Sequence, residues 1–498
     1  MCVSQLHEMV SFTWLIIVLF TAFAVAQVPS PHYRSDGVIV SRQVAEYWYK
    51  RSIQKRDTDS SSPSFDYSSE KVYGVSLGGW LITEPYITPS LYRAAITDNE
   101  TDAQIPVDEY HYCKKLGTSE CYNRLHEHWD TFINGSDFKK IKEWGLNTVR
   151  LPIGYWAFAR LKNDTFCFGQ EEYLEKAIEW CRENNLHMLL DLHGMPGSQN
   201  GFDNSGLRDQ VNWLNVTTNF NLGFEVLNYI QNKYGQPEYY DVISGIENVN
   251  EPLGPKINMS RLKNFDRDSY AQMRSVGSDN YFTFHDAFMN ATYWNNVFQS
   301  GHNISENATY SASIYNILID HHRYEVFSTG QLLLNISGHI DSLKDFTSGI
   351  VNDEKIPVKV IGEWSAALSD CATWLNGVGR GSRYEGQYSS SQVVGKCSYS
   401  NDYSKMTSQN RTDTRKLVEA QLDLYNETNG FIFWCYKTEN AIEFDLSKLI
   451  EYDLFPQPLT ARKYPNVLKS SATSLVNSPS NRLLLMETAV VMIIISLI

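Results

Sequence analysis

Read for the spacing of apolar residues, the chain divides into two short terminal apolar runs and a long patterned middle. From Val72 to about Pro465, short apolar runs alternate with segments of helical period. The runs are 72–78 (VYGVSLG), 148–153 (TVRLPI), 187–193 (HMLLDLH), 242–249 (VISGIENV), 281–285 (YFTFH), 316–322 (NILIDHH), 358–364 (VKVIGEW) and 430–435 (GFIFWC). Each has the length of a buried strand rather than of a helix. Between them, 137–144, 171–184, 220–233 and 414–425 read as amphipathic helices. Buried strands alternating with such helices predict parallel βα units. Eight of them predict a single-domain α/β fold, a (β/α)8 TIM barrel, over 71–465. No Gly-rich phosphate loop follows the first strand, which argues against a dinucleotide-binding open sheet.

The ends of the chain read differently. The apolar run Phe12–Ala26 closes on Ala24-Val25-Ala26, a small-residue cleavage pattern, so 1–26 is read as a signal peptide. The run is shorter than the ~20 residues that span a bilayer. Residues 27–70 are polar and contain Lys55-Arg56 and a Ser-rich stretch, Ser60 to Ser64. They are expected to be disordered or a pro-segment processed after Arg56. Residues 466–482 form a Ser-rich spacer, and 483–498 form an apolar tail interrupted at Glu487. Small residues, polar spacer and terminal apolar tail make a GPI-attachment pattern, with attachment expected near Ser470 to Ala472. A secreted protein, held at the cell surface by a GPI lipid anchor, is expected. Sequons at Asn99, Asn134, Asn258, Asn290, Asn335 and elsewhere fit that export route.

Composition narrows the partner. The formal net charge is −14 with no basic cluster, which excludes nucleic acid. A neutral polysaccharide is indifferent to that charge, and a 13% aromatic content supplies rings for sugar stacking. The protein is expected to act as a monomer. In an oxidising compartment, Cys371 with Cys397 and Cys113 with Cys121 each bracket a loop and are expected to pair. Cys167 and Cys181 are further candidate partners, and Cys435 reads as a buried free thiol. No His/Cys spacing points to a metal, and no cofactor is expected.

The chemistry lies where polar residues meet strand ends. Arg150 lies in the second strand, His193 ends the third, and Asn250-Glu251 follow the fourth. His322 and Tyr324 end the sixth, Glu363 the seventh and Trp434 the eighth. In a TIM barrel these ends converge on one face, where active sites form. Two glutamates at one mouth suit glycosidic cleavage: one protonates the leaving oxygen, the other attacks carbon or activates water. Their mutual repulsion raises one pKa, and Arg150 can hold the other carboxylate ionised.

Longer motifs then carry a resemblance. They include Gly74-Val-Ser-Leu-Gly-Gly-Trp-Leu-Ile-Thr-Glu-Pro-Tyr-Ile-Thr-Pro-Ser-Leu-Tyr92, Val149-Arg-Leu-Pro-Ile-Gly-Tyr-Trp156 and Asp191-Leu-His-Gly-Met-Pro-Gly-Ser-Gln-Asn-Gly-Phe-Asp-Asn-Ser-Gly206. With them stand Asn250-Glu-Pro252, Asp320-His-His-Arg-Tyr-Glu-Val-Phe327, Gly362-Glu-Trp-Ser365 and Leu454-Phe-Pro-Gln-Pro458. Over about 70–460 the chain resembles the fungal exo-β-1,3-glucanases of glycoside hydrolase family 5, and its tail resembles the GPI-anchored branch. The resemblance implies a retaining enzyme releasing glucose from the non-reducing ends of β-1,3-glucan in cell-wall remodelling. It implies Glu251 as acid/base and Glu363 as nucleophile, with Asn250 on the sugar 2-hydroxyl. Arg150, His193, His322 and Tyr324 match the supporting shell. Glu84, Asp203 and Trp434 match sugar contacts at the buried end of the pocket, and Phe202 and Phe327 match an aromatic clamp at its entrance. The chain departs from the pattern at Tyr436 and Phe444, where Trp is frequent, and at Arg323, where His is common. The same scaffold also admits a β-1,6-glucanase, a broader β-glucosidase or a glucan transglycosylase. An inactive wall-binding protein is a further alternative, disfavoured because both carboxylates are kept.

Overall fold

The computed structural model describes residues 32–53, 63–298, 314–353, 355–389, 391–399 and 402–469. The signal peptide over 1–26, Lys55-Arg56, the attachment residues Ser470 to Ala472 and the tail over 483–498 lie outside the described residues.

All eight apolar runs are strands, and they close on themselves. In order around the barrel these are β3 (Val72–Ser76), β4 (Thr148–Gly154), β6 (His187–Gly194) and β7 (Ile243–Glu247), then β8 (Tyr281–His285), β9 (Ile317–Arg323), β10 (Val358–Trp364) and β11 (Gly430–Phe433). Every pairing is parallel, and β11 returns to β3. Both faces of such strands are covered, which explains their continuous rather than alternating hydrophobicity. β4 and β10 are buried at every position. The single domain is therefore the predicted (β/α)8 barrel.

Helices wrap the strands: α2 (Glu109–Leu116), α3 (Thr118–Phe132), α4 (Gly135–Glu143), α5 (Gln170–Asn184), α6 (Thr217–Lys233), α7 (Met259–Ser275), α8 (Ile336–Val351) and α9 (Ser408–Tyr425). Sequon asparagines start several of them. The exposed Asn134, Asn258 and Asn335 cap α4, α7 and α8, each side chain accepting a backbone N–H of the first turn. Among the described residues no helix is long and apolar enough to cross a membrane.

The predicted disorder of 27–70 does not hold where that stretch is described. β1 (His32–Tyr33) pairs antiparallel with β2 (Val38–Val40), β2 pairs with β5 (Ala159–Leu161), and helix α1 (Arg42–Ile53) follows. Phe65 and Tyr67 are buried with the strand-starting residues Val72 and Val358, at the end of the barrel opposite the strand tips. A few apolar residues, widely spaced among polar ones, anchor the segment; their spacing gives no periodic signal. Cys113–Cys121 and Cys371–Cys397 are disulfide-bonded. The candidate Cys167–Cys181 pair is absent, both thiols being free and buried. Cys167 instead lies 3.9 Å from the Cys113 sulfur. Cys435 is a buried free thiol.

Candidate active site

Side chains two apart on a strand share one face. That rule assembles the site, because each strand tip sends polar residues inward. Arg150 on β4 is fully buried and forks among its neighbours. Its Nη1 donates to Glu363 Oε1 at 2.8 Å and its Nη2 to Asn250 Oδ1 at 2.7 Å. Nε and Nη2 reach Glu247 Oε2 at 3.0 and 2.9 Å, and Asp191 Oδ2 lies 3.1 Å from Nη2. The planar guanidinium thus fixes Glu363 on β10 and the residue before Glu251 in one geometry.

Glu363 sits where the register of β10 against β9 shifts, between Ile361 and Glu363. Such an irregularity re-aims a side chain. Besides Arg150, it accepts from the Tyr324 hydroxyl at 2.8 Å through Oε2. Glu251 follows β7 in the left-handed region, at φ 45°, a conformation a non-glycine residue holds only when its surroundings impose it. Asn204 Nδ2 donates to its Oε2 at 3.1 Å.

His322 links the two acids. Its Nδ1 lies 2.9 Å from Glu251 Oε1 and 3.4 Å from Glu363 Oε2. The triangle these distances form caps the separation of those oxygens below the ~6.5 Å at which inverting pairs begin. Burial would lower the His322 pKa, but Glu363, Asp320 and the bond to Glu251 push it well above the usual value. Burial pushes Glu251 up, yet the hydrogen bond and charge of His322 outweigh it and hold the carboxyl below its ordinary value. Burial and the charge of Glu251 leave Glu363 raised, against the pull of His322 and Arg150. Each of the two acids and the imidazole therefore shifts the titration of the others.

A profile for cellulase, glycosyl hydrolase family 5, matches residues 113–378. A glucan 1,3-beta-glucosidase of Lachancea kluyveri is 45% identical over 423 residues, covering 84% of this chain and 93% of the relative. The chain belongs to glycosyl hydrolase family 5. Glucan 1,3-beta-glucosidase I/II of Saccharomyces cerevisiae is 44% identical, covering 83% of this chain and 92% of that protein. Glucan 1,3-beta-glucosidase 2 of Candida albicans is 43% identical, covering 88% and 94%. The solved rutinosidase from Aspergillus niger shares the fold, at a TM-score of 0.58 and 20% identity, over 78% of this chain and 99% of that one.

On this family 5 scaffold, Arg150, Asn250, Glu251, His322, Tyr324 and Glu363 form one connected network. His193 joins it: Nδ1 bonds Asp191 at 2.6 Å, Nε2 lies 3.3 Å from Asn250 Nδ2, and the ring stacks on Trp434 at 5.6 Å. Trp434 Nε1 donates to the Tyr86 hydroxyl. Burial, then the charge of Asp203, pushes the Glu84 carboxyl well up. Asp203 itself is pushed up to about 6 by burial, against Arg208, and its Oδ2 is enclosed without a partner. Phe202 and Phe327 are half-buried, Phe327 lying edge-on to Tyr324 at 5.3 Å.

Two departures from the family pattern lie apart from Glu251 and Glu363. The Tyr436 hydroxyl bonds Asp137 of α4, and Arg323 turns to Glu325 and to Ser342 of α8. Phe444 stands 5.8 Å from Tyr86 and 6.2 Å from Tyr324, in the pocket wall. Asp191, Glu247, Asp320, Asn204 and Tyr86 join the site without a role assigned from the sequence, although Asp191, Asp320, Asn204 and Tyr86 stand within the family motifs. Asp191 and Asp320 each precede a named histidine by two residues on the same strand, a signal available in the sequence.

Glu251, His285 and His322 bring potential ligand atoms together, as do Glu247, Asp320 and His322. The donors do not fit a metal. His285 Nδ1 accepts the Ala287 N–H, so the neutral ring carries its proton on Nε2 and has no lone pair to offer there. Glu247 and Asp320 already face the Arg150 cation.

Proposed function

We propose that this family 5 hydrolase is a retaining, exo-acting glucan 1,3-β-glucosidase. It releases glucose from non-reducing ends of β-1,3-glucan in cell-wall remodelling. One observation supports the mechanism: a single imidazole nitrogen contacts both carboxylates, which is compatible with the ~5–5.5 Å spacing of a retaining pair. Glu363, held by Arg150 and Tyr324, attacks the anomeric carbon and forms a glycosyl ester. Glu251 gives its proton to the leaving oxygen, then takes one from the water that hydrolyses the ester. The proton on His322 Nδ1 faces Glu251 Oε1, and its transfer makes Glu251 the neutral acid. That transfer neutralises both Glu251 and His322, whose charges act on Glu363 in opposite directions, and leaves its Arg150 and Tyr324 donors to keep Glu363 ionised.

The substrate reading rests on the names of relatives more than 40% identical along nearly their whole length. Asn250 meets the 2-hydroxyl, Glu84 and Asp203 bind hydroxyls at the closed end, Trp434 forms the sugar platform, and Phe202 and Phe327 clamp the next ring. The sequence pattern at both ends supports secretion and a GPI anchor.

The decisive experiment separates the glutamates. Glu363→Gln abolishes turnover of every glucoside, because no ester can form. Glu251→Ala still forms the ester from dinitrophenyl β-glucoside, whose leaving group needs no proton, and added azide releases it as β-glucosyl azide. An α-azide would show inversion, and rescue of the Glu363 variant would exchange the two roles. The first product from a laminari-oligosaccharide, compared with pustulan, tests linkage and exo action.

A further inference from the structure

Strand alternation sends Glu247 into the barrel and the next residue, Asn248, outward. Asn248 is the first residue of the segment that ends at Glu251, and its side chain meets Asp266 on α7. Its Nδ2 donates to Asp266 Oδ1 at 2.8 Å. Asn248 and Asp266 are both at most 1% exposed. Their other two oxygens, Asn248 Oδ1 and Asp266 Oδ2, are enclosed and have no partner. Enclosed acceptors without a donor are costly. One proton on Asp266 resolves both: the carboxylic O–H donates to the amide oxygen and closes a ring of two hydrogen bonds. Burial supports that state, pushing the Asp266 carboxyl up to about 7. The bond from Asn248 and the charges of Arg267 and Lys263, on its own helix, pull the other way.

We propose that Asp266 is a positioning residue for Glu251, carried as a neutral acid whose hydroxyl pins Asn248 and so the segment Asn248–Glu251. The segment needs such a hold. Glu251 occupies the left-handed region; backbone bonds from Asn248 to Thr283 and from Asn250 to Leu192, and Gln199 Nε2 donating to the Asn250 carbonyl, hold the main chain beside it, and the Asn248–Asp266 pair adds a hold from α7. Ionisation of Asp266 replaces the donor by a charged acceptor facing Asn248 Oδ1, and the pin opens. The inference rests on the acid role given to Glu251 above.

The test compares kcat/KM on laminaribiose, which needs the acid, with dinitrophenyl β-glucoside, which does not. Asp266→Leu removes the pin and lowers the laminaribiose value about 10-fold, with less than about 3-fold on the dinitrophenyl substrate. Asp266→Asn keeps both bonds, because an amide N–H replaces the acid O–H, and holds both values within about 2-fold at pH 5. Between pH 6 and 8 the wild type loses its laminaribiose-to-dinitrophenyl ratio faster than Asp266→Asn does. Should the leucine variant not fold, this pH comparison decides: parallel profiles overturn the proposal. Equal losses on both substrates in Asp266→Leu, or an Asp266→Asn as impaired as Asp266→Leu, also overturn it. Glu251→Ala is the control. Selective loss there, with equal losses in Asp266→Leu, overturns the positioning role alone; equal losses in Glu251→Ala overturn the acid assignment and this inference with it.

Discussion

Removing one oxygen atom tests how Glu363, the proposed nucleophile, is kept ionised. Tyr324→Phe deletes the hydroxyl that donates to Glu363 Oε2 at 2.8 Å and leaves the ring packed between Phe327 and Phe444. A hydrogen bond to a charged group contributes ~1.5–3 kcal/mol. Arg150 and His322 also hold Glu363, so the lower part of that range applies, about 1.5–2 kcal/mol. At 1.36 kcal/mol per unit, the Glu363 pKa rises by about 1–1.5 units. The sign follows from the donor. It favours the carboxylate, so losing it favours the acid, on top of the rise already imposed by burial and by Glu251. Glu363 reacts only as carboxylate, so activity fails as pH falls and the failure now begins at higher pH. The assay is the pH profile of kcat/KM on dinitrophenyl β-glucoside, whose departure needs no acid. The acid limb moves up by about 1–1.5 pH units, and the rate at the optimum falls about 10-fold. A limb that stays within about 0.3 units, or moves down, refutes the argument that this phenol sustains the nucleophile's charge.

Phe202→Ala and Phe327→Ala should each weaken turnover of laminari-oligosaccharides about 10-fold more than that of an aryl glucoside, which lacks a second sugar to clamp. Equal losses on both substrates would reduce the rings to packing. Phosphatidylinositol-specific phospholipase C should release the native protein from membranes; retention with the tail peptide still attached would rule out the anchor.

The barrel was legible because parallel strands covered on both faces leave uninterrupted apolar runs, and β4, β6 and β10 are such runs. Strand ends then named Glu251, Glu363 and His322, since a charged residue closing an apolar run has few structural reasons to be there. Glu247 was not legible: it sits within its run rather than at the end, and only three-dimensional closure shows that it faces Arg150. Asn204 lies 47 positions from Glu251, and only loop geometry brings them together. The segment over 32–53 was misread because Val38, Ile39, Val40 and Val44 are too few to outweigh the polar composition around them.

The sequon asparagines at helix starts have a practical consequence for anyone removing glycans by mutation. A glycan is joined through Nδ2, whereas the caps at Asn134, Asn258 and Asn335 use Oδ1 as acceptor. The same amide can therefore carry sugar on one atom and begin a helix with the other. Exchanging the asparagine for glutamine deletes both functions, and an unstable variant would be blamed on the missing sugar. Changing the hydroxyl residue two positions on, Ser136, Ser260 or Ser337, to alanine removes the sugar signal and leaves the helix start intact. The difference between the two substitutions at one site measures the cap, about 1 kcal/mol for each helix.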